Sequence, residues 1–110
     1  MYRFKRISKT KMYQLVREFA GIRNLPPMRQ CQFGYYSRTD TCYLCFKEGP
    51  DSFKAVYDHW GSCVFLTVFQ KPGPDPLSAE RNEDIPLNLH WLHEHGFLDR
   101  DPVKPAGEVV

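Results

Sequence analysis

Long apolar runs are missing from this chain. Nowhere in its 110 residues is there a stretch near the ~20 apolar residues that a membrane-spanning helix needs. The charged opening, MYRFKRISKTKMYQ, lacks the apolar centre of a signal peptide. Both absences point to a cytoplasmic protein without a membrane partner, in a compartment where cysteines stay reduced. The even count of four cysteines is then weak evidence for disulfides. Internal repeats and low-complexity tracts are absent too. So are a phosphate-cradling glycine loop, a Ser/His/Asp grouping and a pair of carboxylates set for acid–base work. These gaps argue against catalysis, and no cofactor is expected.

What is present suits one globular domain: 42% hydrophobic and 25% charged residues, enough to build a core without metal or disulfide staples. The net charge of +2 is unevenly spread. Residues 1–30 carry eight basic groups and one acid, Glu18, leaving seven basic and twelve acidic groups for the remainder. A segment so one-sided can meet an anionic partner. It can also be an ordinary solvated surface.

The pattern predicts a strand over 1–8, with Tyr2 and Phe4 on one face and Arg3, Lys5 and Ile7 on the other. Thr10 is placed to cap a helix over 11–22, whose stripe is Met12, Leu15, Val16, Phe19 and Ile22. Alternation then predicts four strands at 31–36, 41–48, 53–60 and 63–70. Their turns suggest a register: Tyr36 opposite Thr41, Glu48 opposite Phe53 around GPDS, and Trp60 opposite Cys63 around Gly61-Ser62. This register sorts the side chains. Cys42, Leu44, Phe46, Phe53, Ala55, Tyr57, Val64, Leu66 and Val68 share one face with Cys31, Phe33, Tyr35 and His59. Tyr43, Cys45, Lys47, Lys54, Val56, Asp58, Phe65, Thr67 and Phe69 share the other.

KPGPDP at 71–76 should end the sheet, with a loop or helical turn over 77–84. A second helix is expected over 86–95, capped by Asp84 and stopped by Gly96, with Leu87 and Trp91 on one of its two stripes. Residues 1–100 are therefore expected to form a single α+β domain: strand, helix, four-stranded antiparallel meander, helix. Residues 101–110 should be a flexible C-terminal tail. An exposed edge strand would offer a route to a homodimer.

A rival reading makes Cys42, Cys45, His59 and Cys63 a structural zinc site, with 52–60 as a helix capped by Ser52 and ended by Gly61. Against it, residues three apart on a strand point to opposite faces, and the helix would destroy the face sorting. No metal site is expected, and the cysteines read as small core residues. His90 and His93 share a helix face that could hold a metal or phosphate. The simpler account is imidazoles favoured at a helix C-terminus.

The non-core sheet face is aromatic and basic. Covered by the 86–95 helix through Leu87 and Trp91, it would become the middle of a three-layer domain. Open, it would be a platform on which bases of RNA or single-stranded nucleic acid stack while cations meet phosphates. The leading expectation is such a non-catalytic binding protein: Arg3, Lys5, Lys47 and Lys54 for phosphate, Tyr43, Trp60 and Phe65 for stacking. An alternative is a protein-interaction module, an inhibitor or adaptor, anchored by the same aromatic residues. The order strand, helix, antiparallel meander is also similar to that of RelE-type ribonuclease toxins. That likeness implies RNA cleavage with Lys47, Lys54, Tyr43 and Arg81 as candidates, although the acidic second half departs from their very basic pattern.

Overall fold

The computed structural model of the chain describes residues 6–39, 41–60, 63–71 and 80–98. Its elements run α1 (Lys9–Phe19), a 3-10 turn (Met28–Gln30), β1 (Gln32–Tyr36), β2 (Thr41–Glu48), β3 (Asp51–Trp60), β4 (Cys63–Lys71), β5 (Arg81–Pro86) and α2 (Leu89–Glu94). All five strands form one antiparallel sheet in the order β1-β2-β3-β4-β5. The protein is α+β.

α1 starts two residues earlier than its pattern suggested. Ser8, not Thr10, is the N-cap, its hydroxyl accepting from the Lys11 N–H at 3.2 Å. Met12, Leu15, Val16 and Ala20 are fully buried. The helix ends before Gly21, whose positive φ of 65° turns the chain away. Ile22 lies beyond the helix but still packs against the core. The strand expected over 1–8 is corrected in its described part. Residues 6–8 are not extended into the sheet, and Ile7, expected beside Arg3 and Lys5, is 2% exposed within the core. An apolar side chain so close to α1 gains more from burial than a basic face could offer it.

Two of the three expected registers hold: Tyr36 lies opposite Thr41, and Trp60 opposite Cys63. The third is displaced by two residues. Glu48 faces Asp51, not Phe53, so Phe46 pairs with Phe53, Leu44 with Ala55 and Cys42 with Tyr57. The connection is Gly49-Pro50 alone. Gly49, with φ of 58°, occupies the first central position, where a type II′ hairpin wants glycine. A two-residue displacement preserves strand parity, so the face sorting survives it. Leu44, Phe46, Phe53, Ala55, Tyr57, Val64, Leu66 and Val68 all join one buried cluster with α1.

Residues 77–84 were expected as loop or helical turn, yet 81–84 lie in a strand. β5 pairs Leu66 with Ile85 and Phe69 with Asn82. Its sequence, RNEDIP, carries the charges and terminal proline by which edge strands resist further pairing. Asp84 and Pro86 thus belong to the sheet, and the second helix is shorter than expected. Asn88 caps it, Oδ1 accepting from the Trp91 N–H at 3.0 Å. It closes on Gly96 (φ 81°) with Gly96 N–H to His93 O at 3.1 Å and Phe97 N–H to Leu92 O at 2.8 Å. That is the Schellman pattern, and Phe97 adds its usual apolar contact by lying 5.7 Å from the Trp91 ring.

α2 packs on the same side of the sheet as α1. Leu92, Phe97 and Leu98 are buried in the common core, Phe97 meets Tyr57 at 6.2 Å, and Trp91 meets Phe19 edge-on at 4.9 Å. The three-layer arrangement is corrected accordingly. Leu87 and Trp91 join the helix-side core and do not cross the outer face.

Candidate nucleic-acid interface

The outer face of the sheet, the one bearing neither helix, displays its side chains in rows set by the register. Lys47, Ser52 and Lys71 form the row nearest the Gly49-Pro50 turn. Next come Gln32, Cys45, Lys54, Phe69 and Asn82. Beyond them are Gly34, Tyr43, Val56, Thr67 and Asp84, then Asp58, Phe65 and Pro86. Because of the shifted hairpin, Tyr43 lies opposite Val56 and not Asp58, while Lys54 moves opposite Cys45.

That shift creates a cluster that sequence reasoning missed. The Lys54 ammonium lies 4.9 Å from the Tyr36 ring centroid and 5.0 Å from that of Tyr43, and the two rings are 5.0 Å apart. A hydrogen bond to Tyr36 pushes the lysine's pKa up against a smaller opposing effect of burial, so it stays charged. Tyr43 can lie across β1 because residue 34 is glycine. A Cβ there would stand 2.5 Å from Tyr43 Cζ and 2.7 Å from Cε2. The available signal was the glycine in QFGYY, since glycine inside a strand marks a close approach.

At the turn end, a groove of about 550 Å³ is lined by Lys47, Lys54 and Lys71 together with Phe46, Phe53 and Phe69. Phe46 and Phe53, stacked with centroids 5.2 Å apart, reach it only from the buried core. Phe69 is 39% exposed. At the opposite end the face becomes acidic. Asp84 accepts from the Thr67 hydroxyl at 2.8 Å, and Asp58 from the His59 N–H at 2.7 Å.

Of the residues expected to bind, Tyr43, Lys47, Lys54 and Phe65 share this face. Arg3 and Lys5 lie outside the described residues. Trp60 stands opposite Cys63 at the end of β3, and its side chain is outside the described set. The described start of the basic segment lies on the other side. Tyr35 on the helix-side face donates its hydroxyl to the Ile7 carbonyl, and Arg6 sits 5.2 Å over the Tyr35 ring.

The rival constellations are dispersed. Cys42 faces the core, its thiol 3.6 Å from Met12 Sδ, and burial pushes its pKa up to about 12. Cys45 lies on the outer face, with burial raising its thiol against the opposing charge of Lys54. Cys63 is exposed, and residues 52–60 are strand, not helix. Among the described residues no three His, Cys, Asp or Glu side chains converge as metal ligands would. His90 instead lies 2.8 Å from Glu94, while His95 stacks on Trp91 at 3.8 Å and bonds its carbonyl. Arg81 sits on the helix side, donating to the Ala20 carbonyl at 2.9 Å and to Glu83 at 2.8 Å. It does not join Tyr43, Lys47 and Lys54.

No helix among the described residues is long and apolar enough to cross a membrane. In comparisons with known proteins, no family model, no curated protein and no solved structure matches the chain.

Proposed function

We propose that this protein binds RNA or single-stranded nucleic acid through the outer face of its sheet, without catalysis, in the cytoplasm. One observation carries the reading: both helices pack on a single face, and the other presents Tyr36, Tyr43, Phe65 and Phe69 among Lys47, Lys54 and Lys71. Aromatic side chains offer stacking at ~1–3 kcal/mol per base without regard to sequence. The lysines release counterions from phosphates, which makes such binding salt-dependent. Arg3 and Lys5 extend the charge in this reading. The test is fluorescence anisotropy with a short labelled single-stranded RNA at rising salt. Affinity should fall log-linearly with salt. The double variant Lys47→Ala/Lys54→Ala should flatten the slope by about 1.4, at about 0.7 per lost phosphate contact. Absence of binding at low salt overturns the proposal.

A protein partner is the second reading. Two observations favour it: Asp58 and Asp84 share the face with the lysines, and the described part of the basic N-terminal segment is anchored on the helix side. Mixed charge around exposed aromatic groups suits a protein surface. Anisotropy that is insensitive to RNA, together with co-purification of a defined protein lost in Phe65→Ala, would favour this reading.

A further inference from the structure

Charge is segregated along the outer face. Lys47 and Lys71 flank its first row and Lys54 sits in the second, while Asp84 and Asp58 occupy the third and fourth. A polyanion laid along the whole face would set phosphates against those carboxylates. A ligand whose charge is gathered at one end meets only the lysines. Among the described residues none of the three lysines forms an ion pair, and Lys54 keeps its charge while bonded to Tyr36.

Between them lies the groove of about 550 Å³, within the ~300–1,000 Å³ range of small-ligand sites. Phe69, 39% exposed, gives it a flat apolar wall, and the Gln30 and Gln32 amides supply donors and acceptors at its edge. An apolar wall with a few convergent polar groups selects a flat heterocycle that also forms hydrogen bonds. The charge of the head group can be argued as well. A phosphodiester carries a single negative charge, whereas a phosphomonoester carries about −1.5 to −2 near neutral pH, its second pKa being about 6. Three neighbouring ammonium groups therefore discriminate in favour of a monoester.

We infer that this groove is a site for a nucleotide bearing a phosphomonoester, its base against the exposed ring of Phe69 and its phosphate among Lys47, Lys54 and Lys71. The inference rests on the nucleic-acid reading and sharpens it. The protein holds a phosphorylated strand end at the lysine-bearing rows and does not track along the interior of a strand. Two sources share this chemistry: the phosphorylated terminus of an oligonucleotide and a free nucleoside monophosphate.

The experiment compares one single-stranded RNA in 5′-phosphorylated, 3′-phosphorylated and unphosphorylated forms, with uridine and adenosine monophosphates as further probes. At least one phosphorylated form should bind tenfold or more tightly than the unphosphorylated strand. The preference should shrink as pH falls below about 6, where the monoester gains a proton. Lys47→Gln/Lys71→Gln should abolish the preference with an unchanged thermal melt. Should that pair unfold, the single variants Lys47→Gln and Lys71→Gln should each reduce it. Equal binding of all three strands overturns the end-site inference and leaves the platform reading standing. Binding of the monophosphates but of no strand supports the groove chemistry and overturns the strand reading. Failure of every probe overturns both.

Discussion

Lys11 Nζ donates to the carbonyl oxygen of His95 at 2.6 Å and lies 4.7 Å over the Phe97 ring. A residue in the first turn of α1 thus holds the C-cap of α2. The last carbonyls of a helix have no partner within it, and a cation is favoured there by both hydrogen bonding and the helix dipole. Arg81 does the same for α1 through the Ala20 carbonyl. The C-terminal end of each helix is tied by a basic side chain from a distant part of the chain. Some of the positive charge that invited a nucleic-acid reading therefore serves the fold.

Replacing Lys11 by methionine keeps the apolar stem and removes the donor. The expected loss is about 1–2 kcal/mol, or roughly 4–10 °C in Tm. Urea denaturation checks it, with Arg17→Met on the exposed side of α1 as a control expected to stay within about 0.5 kcal/mol. A Lys11 variant as stable as the parent would show that the contact contributes nothing in solution.

Gly34→Ala separates binding from stability. The new Cβ meets only the far end of the Tyr43 side chain, which can swing aside. Stability should change by less than about 1 kcal/mol. Tyr43 would leave the cluster with Tyr36 and Lys54, and affinity for single-stranded RNA should drop by roughly tenfold, the loss of one stacked base. Unaltered affinity would remove Tyr43 from the binding surface.

Thiol labelling reads the sheet faces directly. Cys63 is exposed and should react first with iodoacetamide at mildly alkaline pH. Cys42 combines burial with a thiol raised to about 12 and should stay unmodified until the protein unfolds. Mass spectrometry of the native and urea-treated protein distinguishes them. Early modification of Cys42 would contradict its placement under α1.

Alkaline pH should destabilise the fold. Burial raises Cys42 from 9.0 to about 12, and burial also raises Tyr57 above its ordinary value, with the Cys42 charge acting in the same direction. Both groups lose their protons more readily when unfolded, so the unfolded state binds fewer protons and stability falls as pH rises. The Cys42 contribution is complete below pH 9 and is lost between pH 9 and about 12. Chemical denaturation at stepped pH should show that decline, and Cys42→Ala should flatten it.

How much of this could be read in advance differs from element to element. Alternation along 41–48, 53–60 and 63–70 was sufficient to divide the described side chains of these strands between the two faces, because the period of two is a property of the extended backbone. Even the misplaced hairpin left that division intact, as a two-residue slip retains parity. The stripe Met12, Leu15, Val16 and Phe19 was legible for the same kind of reason, a local period of 3.6. Residues 81–86 had no such signal. RNEDIP becomes a strand because β4 offers it a ladder of backbone partners, and that offer depends on distant chain. Nor could six residues with apolar groups on two sides say which sheet face α2 would cover. That choice rests on Leu92, Phe97 and Trp91 finding Tyr57 and Phe19, contacts that exist only once the sheet and α1 are assembled. The aromatic face that carries neither helix, and so the candidate site, follows from that packing. Local periodicity sets which way a side chain points, and long-range burial decides what stands opposite it.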